Sequence, residues 1–104
     1  MNRASNLNQE NELRLLLDKI RANSAVLSDY QRYEQILGQN GTTSQQMEML
    51  LRRNGFFSIE QYYNQRTAAK TLEEKRRTDG EFLGAMLGIG GGLLLLWALL
   101  SAKR

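Results

Sequence analysis

The chain has 104 residues and contains no Cys, no His and no Pro. Those absences exclude disulfides, thiolate and imidazole metal sites, and the Ser–His and Cys–His nucleophile pairs. All 11 acidic residues and 12 of the 14 basic ones lie in residues 1–81, so that region carries about +1 (12 − 11) and shows no nucleic-acid footprint.

The first segment, Met1–Asn11, is polar and lacks the apolar core of a secretory signal. No Gly or Pro occurs from Met1 to Leu37. Leu13, Leu16, Leu17, Ile20, Leu27, Tyr30 and Leu37 fall near helical spacing. Either one helix from about residue 8 to 37 or two helices joined near 23–25 fit this pattern. Read as heptads, Leu13, Ile20 and Leu27 make a seam with Leu16, Tyr30 and Leu37, and Asn23 and Glu34 spoil it. A bundle face is therefore preferred over a coiled coil. Gly38 is the expected stop, and Gly38–Gly41 a turn.

Thr43 with Gln46 has capping-box spacing and opens a short helix bearing Met47, Leu50 and Leu51. Asn54-Gly55 ends it. Ser58 with Gln61 repeats the box and opens a helix bearing Ile59, Tyr62, Tyr63, Arg66, Ala69 and Leu72. Only Asp79-Gly80 interrupts that helix before the apolar run, so the expectation is three helices with the last feeding an anchor. Phe57 stands at the hydrophobic-staple position, to pack near Tyr62. Phe56, Phe57, Tyr62 and Tyr63, together with Arg52 and Arg53, are the candidate partner contacts. Core packing is the preferred reading of the aromatics, and a solvated face that of the arginines.

Phe82–Leu100 reads FLGAMLGIGGGLLLLWALL, without a charge. Its 19 residues span about 28 Å, close to the hydrocarbon thickness of a bilayer. Its eight Leu, Phe82 and Ile89 each contribute roughly −0.3 to −0.6 kcal/mol to insertion. Lys75, Arg76 and Arg77 precede it; Trp97, Lys103 and Arg104 mark its far end, and these six are the candidate membrane-interface residues. The positive-inside rule, counting Lys70 as well, places the N-terminal region in the cytoplasm. With four residues after the span, insertion is expected to follow synthesis, as in tail-anchored proteins.

Gly80, Gly84, Gly88 and Gly92 recur every fourth residue, and Gly91 joins their stripe while Gly90 lies opposite. Such stripes let helix backbones approach closely, so these five are the candidate transmembrane helix–helix contacts. Adjacent glycines also weaken a helix, which leaves a membrane-perturbing reading open. The run GIGGG is not a phosphate loop, because it has neither a preceding strand nor a following Lys-Ser/Thr.

The expected fold class is all-α: a small bundle or hairpin followed by one transmembrane helix. Its parts are a soluble region over 1–72, a charged juxtamembrane stalk over 73–81, the span over 82–100 and a basic tail over 101–104. No catalytic constellation, cofactor, metal or small-molecule substrate is indicated. The expected role is a non-enzymatic scaffold organising partners at a bilayer, as a homo-oligomer or beside another membrane or capsid protein. The alternatives are a holin-like or penetration protein, and a tail-anchored adaptor for a soluble partner.

The layout resembles the small membrane proteins of tailless phages with an internal bilayer, the corticovirus type. The likeness rests on size, the single span Phe82–Leu100, the absence of Cys, and Gln/Asn-rich helices. It carries no motif and assigns no residue a role. It implies a virion protein linking the capsid shell to the bilayer. A membrane-fusion helix of the SNARE type fits less well, because Gly38, Gly41 and Gly55 interrupt the heptads.

Overall fold

The computed structural model describes residues 3–102, and side-chain surroundings for residues 8–100. The described chain is all-α, with no strand among these residues. The order is α1 Arg3–Arg21, α2 Leu27–Gln39, α3 Ser44–Arg53, α4 Ile59–Ala68, α5 Leu72–Asp79 and α6 Phe82–Ala102. Five helices, against the three expected, precede α6, and each extra boundary has a local cause.

The N-terminal stretch breaks in two at Asn23. That residue takes the left-handed conformation, with φ of 60°. Ser24 N–H donates to Lys19 O at 2.9 Å and Asn23 N–H to Ile20 O at 3.1 Å, which closes α1 as a Schellman motif. The polar residue that spoiled the heptad seam is therefore the helix stop. At the start of α2 the Asp29 carboxylate accepts from Val26 N–H at 2.9 Å, standing near the positive end of the helix. Gly38 does not end α2. The helix continues to Gln39, Thr42 N–H closes back on Leu37 O at 3.0 Å, and Gly41 supplies the positive φ of 112°.

The Thr43 box forms as expected. Thr43 Oγ1 accepts from Gln46 N–H at 3.1 Å, and Gln46 Oε1 accepts from Thr43 N–H at 2.9 Å. Asn54-Gly55 ends α3, with Gly55 at φ 88°. The Ser58 box is half formed: Ser58 Oγ accepts from Gln61 N–H, but Gln61 Oε1 accepts from Phe57 N–H instead of Ser58 N–H. The expected run from α4 into the span is overturned. Ala69 is extended, Thr71 Oγ1 caps a separate helix through Glu74 N–H at 3.1 Å, and Gly80 turns the chain at φ 49°. The stretch expected to be a stalk is largely α5, and Lys75 Nζ fastens it to the end of α4 by donating to Arg66 O and Ala69 O.

Cross-links fix how the helices lie. Lys19 pairs with Asp29, Glu12 with Arg32, and Gln9 with Gln39, so α1 and α2 form an antiparallel hairpin. The core is one cluster of Leu13, Leu16, Leu17 and Ile20 from α1, Tyr30, Tyr33, Ile36 and Leu37 from α2, and Met47, Leu51, Phe56, Ile59 and Tyr62 from the following segments. Phe82 and Met86 of α6 complete it, both with no exposed surface. Phe56, not Phe57, is the residue that packs on Tyr62, with ring centroids 5.2 Å apart. Phe57 is 80% exposed, so the staple expected there does not form. Turning the chain at Gly55 aims the first phenylalanine inward and leaves the second outside.

Beneath the start of α6 lies a buried polar link. Asp79 Oδ1 accepts from Tyr62 OH at 2.6 Å and from Arg66 Nε at 2.8 Å. Arg66 Nη1 also donates to Asn23 Oδ1. Both charged side chains are only 11% exposed. Burial works against the Arg66 charge, but the hydrogen bond and the carboxylate of Asp79 outweigh it and hold its pKa above the ordinary value. One carboxylate thus joins α4 and α5, and through Arg66 the end of α1, three residues before α6 begins. Replacing Asp79 by Ala leaves a buried cation and a tyrosine hydroxyl without their acceptor. The expected loss is about 3–5 kcal/mol in chemical denaturation, while Glu73→Ala, which breaks the exposed Glu73–Arg77 pair, costs below about 1 kcal/mol.

Candidate membrane helix and its docking site

Helix α6 carries the apolar run without interruption, and Phe82–Leu100 has a mean hydropathy of 2.1. By length and composition it is able to cross a membrane. It is not enclosed as a core helix would be, because only Phe82, Met86 and Gly90 of its 19 residues are fully buried. Its two faces differ. Phe82, Met86 and Gly90 are buried, and Leu93, Leu94 and Trp97 continue that face, half-buried against the bundle. Gly84, Gly88, Gly92, Leu95, Leu96 and Leu99 are exposed on the opposite face, and exposed Ala85 borders a groove shared with α3. Spacings of three and four put each set on one side of a helix.

The docked face is anchored at two levels. At the first turn, Phe82 meets Tyr62 at 4.7 Å and Phe56 at 5.9 Å, and Tyr30 meets Tyr62 at 5.8 Å and Tyr63 at 5.5 Å. Edge contacts of this kind add roughly 0.5–1.5 kcal/mol each beyond area burial. One turn on, Tyr33 OH donates to Met86 O at 2.8 Å within the core. Burial raises the Tyr33 pKa, so the hydroxyl stays a donor across the ordinary pH range. The same hydroxyl fills the space beside Gly90. A Cβ built there would lie 2.0 Å from Tyr33 Oη and 2.7 Å from Cζ. Gly90 is therefore the glycine the fold requires, although it stands off the four-residue stripe.

The stripe itself splits. Gly80 lies before α6, in the α5–α6 turn. At Gly84, Gly88, Gly91 and Gly92 an added Cβ would meet nothing within 4 Å. Gly84, Gly88 and Gly92 form an open strip on the face turned away from the bundle. Of the interface candidates, Arg76 and Arg77 are exposed on α5, Lys75 is engaged at the end of α4, and Trp97 is half-buried. Lys103 and Arg104 lie outside the described residues. Of the partner candidates, Phe56 and Tyr62 are buried, Tyr63 is half-buried, and Arg52, Arg53 and Phe57 are exposed, with Arg52 paired to Glu48.

Docking places α6 beside charge. The midpoint of Phe82–Leu100 is residue 91, next to the Tyr33–Gly90 contact. The neighbour of Tyr33 on α2 is Arg32, whose Nε donates to Glu12 Oε2 at 2.7 Å and Nη2 to Glu12 Oε1 at 2.8 Å. That hydrogen bonding lowers the Glu12 pKa and raises that of Arg32, which keeps the pair ionised. Arg32 and Glu12 are 35% and 38% exposed, so the pair sits at the bundle surface, one residue along α2 from the tyrosine that contacts Gly90. At a bilayer midplane a charged residue costs about 2.5–3.5 kcal/mol to insert.

A separate groove of about 620 Å³ opens between α2, α3 and the start of α4. Met47, Leu51 and Ile59 give it an apolar floor, Phe57 stands at its edge, and Glu34, Glu48 and Glu60 line it. Burial raises the Glu34 pKa. No group of three acidic residues suited to a metal ion occurs among the described residues. The chain matches no protein-family model, no curated protein and no solved structure.

Gly90→Ala is expected to destabilise the docked arrangement by about 1–3 kcal/mol through overpacking against Tyr33, with Gly84→Ala near neutral, measured by thermal unfolding without detergent or lipid. For Glu34, a folded-state pKa above the unfolded value means that the folded form binds the proton more tightly. Its contribution is greatest below the ordinary value of 4.5 and is lost as pH rises through the folded pKa. Glu34→Gln should therefore raise the melting temperature at pH 7 and leave it little changed below pH 4.5; a uniform shift at both would contradict the assignment.

Proposed function

We propose that this chain is a non-enzymatic, single-pass membrane scaffold: a helical bundle carried by α6 that organises neighbours at a bilayer surface. The observation that carries this reading is the two-faced α6. Nineteen residues without a charge run from Phe82 to Leu100, and an added Cβ at Gly84, Gly88 or Gly92 would meet nothing within 4 Å among the described residues. A neighbouring transmembrane helix can approach closely there. The occupant is a second copy or another membrane protein. Exposed Arg76 and Arg77 before the span favour an N-terminal region on the cytoplasmic side. In the setting suggested by the internal-membrane phage layout, the scaffold stands between a capsid shell and the bilayer.

A second reading, the adaptor, is supported by the groove between α2, α3 and α4. Its apolar floor and the largely exposed Phe57 at its edge suit a soluble partner segment.

Crosslinking of the full chain in lipid vesicles tests the scaffold reading. Discrete oligomers that a Gly84→Ile/Gly88→Ile double variant loses are the expected result. A chain that stays monomeric in both forms removes self-assembly and leaves the adaptor in front.

A further inference from the structure

The geometry points to α6 having two mutually exclusive placements, docked on the bundle or across a bilayer, with the Tyr33–Gly90 contact as the latch between them. This rests on the membrane reading above and adds a conformational step to it.

Docking and crossing conflict because of where the latch sits. Tyr33 holds α6 at Met86 and Gly90, beside the midpoint of the apolar run. A docked helix that crossed a bilayer would carry that level of the bundle to the midplane. Arg32, next to Tyr33 on α2, and its ion-pair partner Glu12 on α1 would be carried in with it, and α1 also bears Arg14, Asp18 and Lys19. All face the surroundings at least in part, so lipid would meet charge. A bend at Gly90–Gly92 does not resolve the conflict. Leu93–Leu100 alone is eight residues, about 12 Å, against a hydrocarbon core of about 30 Å.

Release is balanced by exchange. On leaving the bundle, Phe82 and Met86 lose a dry site and Tyr33 OH loses the Met86 carbonyl. In a bilayer the apolar docked face regains an apolar environment. The face already exposed, Leu95, Leu96, Leu99 and Leu100, is removed from water for the first time. The docked form is thus the form without lipid, and the bilayer selects the released one.

The absence of Cys allows a direct test in the full chain. Spin labels on Gln31→Cys and Leu95→Cys, both exposed positions, report the α2–α6 distance in phosphatidylcholine–phosphatidylglycerol vesicles. A separate Leu100→Cys chain, probed with a membrane-impermeant maleimide, reports the fraction that has crossed. The expected result is that the crossed fraction equals the fraction with the long, broad distance. Gly90→Ile, which cannot dock, should raise both several-fold, and Gly84→Ile should raise neither. Full crossing with the short docked distance intact overturns the exclusion and leaves the membrane reading standing. Residue 100 remaining on the near side in the wild-type and Gly90→Ile chains alike overturns the membrane reading and the proposal together.

Discussion

Phe82 has no exposed surface, and the packing that hides it organises the rest of the bundle. Tyr62 and Phe56 close on its ring, Tyr30 closes on Tyr62, and the Tyr62 hydroxyl reaches Asp79. A single aromatic at the first position of α6 therefore draws together α2, the α3–α4 turn, α4 and α5. The region before α6 has 81 residues, close to the lower limit for a self-sufficient core. Phe82 and Met86 add about 1.5–3 kcal/mol of burial each, which is a large share of the stability of so small a domain. The helix long and apolar enough to cross a membrane is also a structural member of the domain it follows.

That double use explains the division of labour among the glycines. Gly90 faces inward and is needed because the Tyr33 ring occupies the place of a side chain. Gly84, Gly88 and Gly92 face outward, where an added Cβ would meet nothing within 4 Å among the described residues. The inner requirement is steric and belongs to the fold. The outer strip is the face offered to the proposed contact with a neighbouring helix.

The polar residues follow the same economy. Asn23 ends α1 by its backbone and accepts from Arg66 by its side chain. Lys75, expected at the headgroups, closes the C-terminus of α4. Short helices leave many orphan carbonyls and amides, and in a chain without Pro the capping falls on Asn, Thr, Ser and Gln side chains and on positive-φ glycines.

The sequence alone determined the helical class, the apolar run with its bounds, and the Thr43 cap, because these depend on composition, on spacing and on contacts three residues apart. It also exposed the weak point near Asn23, although not whether the helix broke there. What the sequence could not decide were matters of direction and distance. Phe56 and Phe57 are identical neighbours, and only the Gly55 turn selects the inward one. Asp79 and Arg66 lie 13 residues apart, and their pairing requires the break at Ala69–Thr71 that folds α5 back on α4. Gly90 looked incidental beside a regular stripe, since its requirement comes from Tyr33, 57 residues earlier in the chain. Periodicity records which residues share a face of one helix; it carries no information on which face another helix will fill, and that choice was made by tertiary packing.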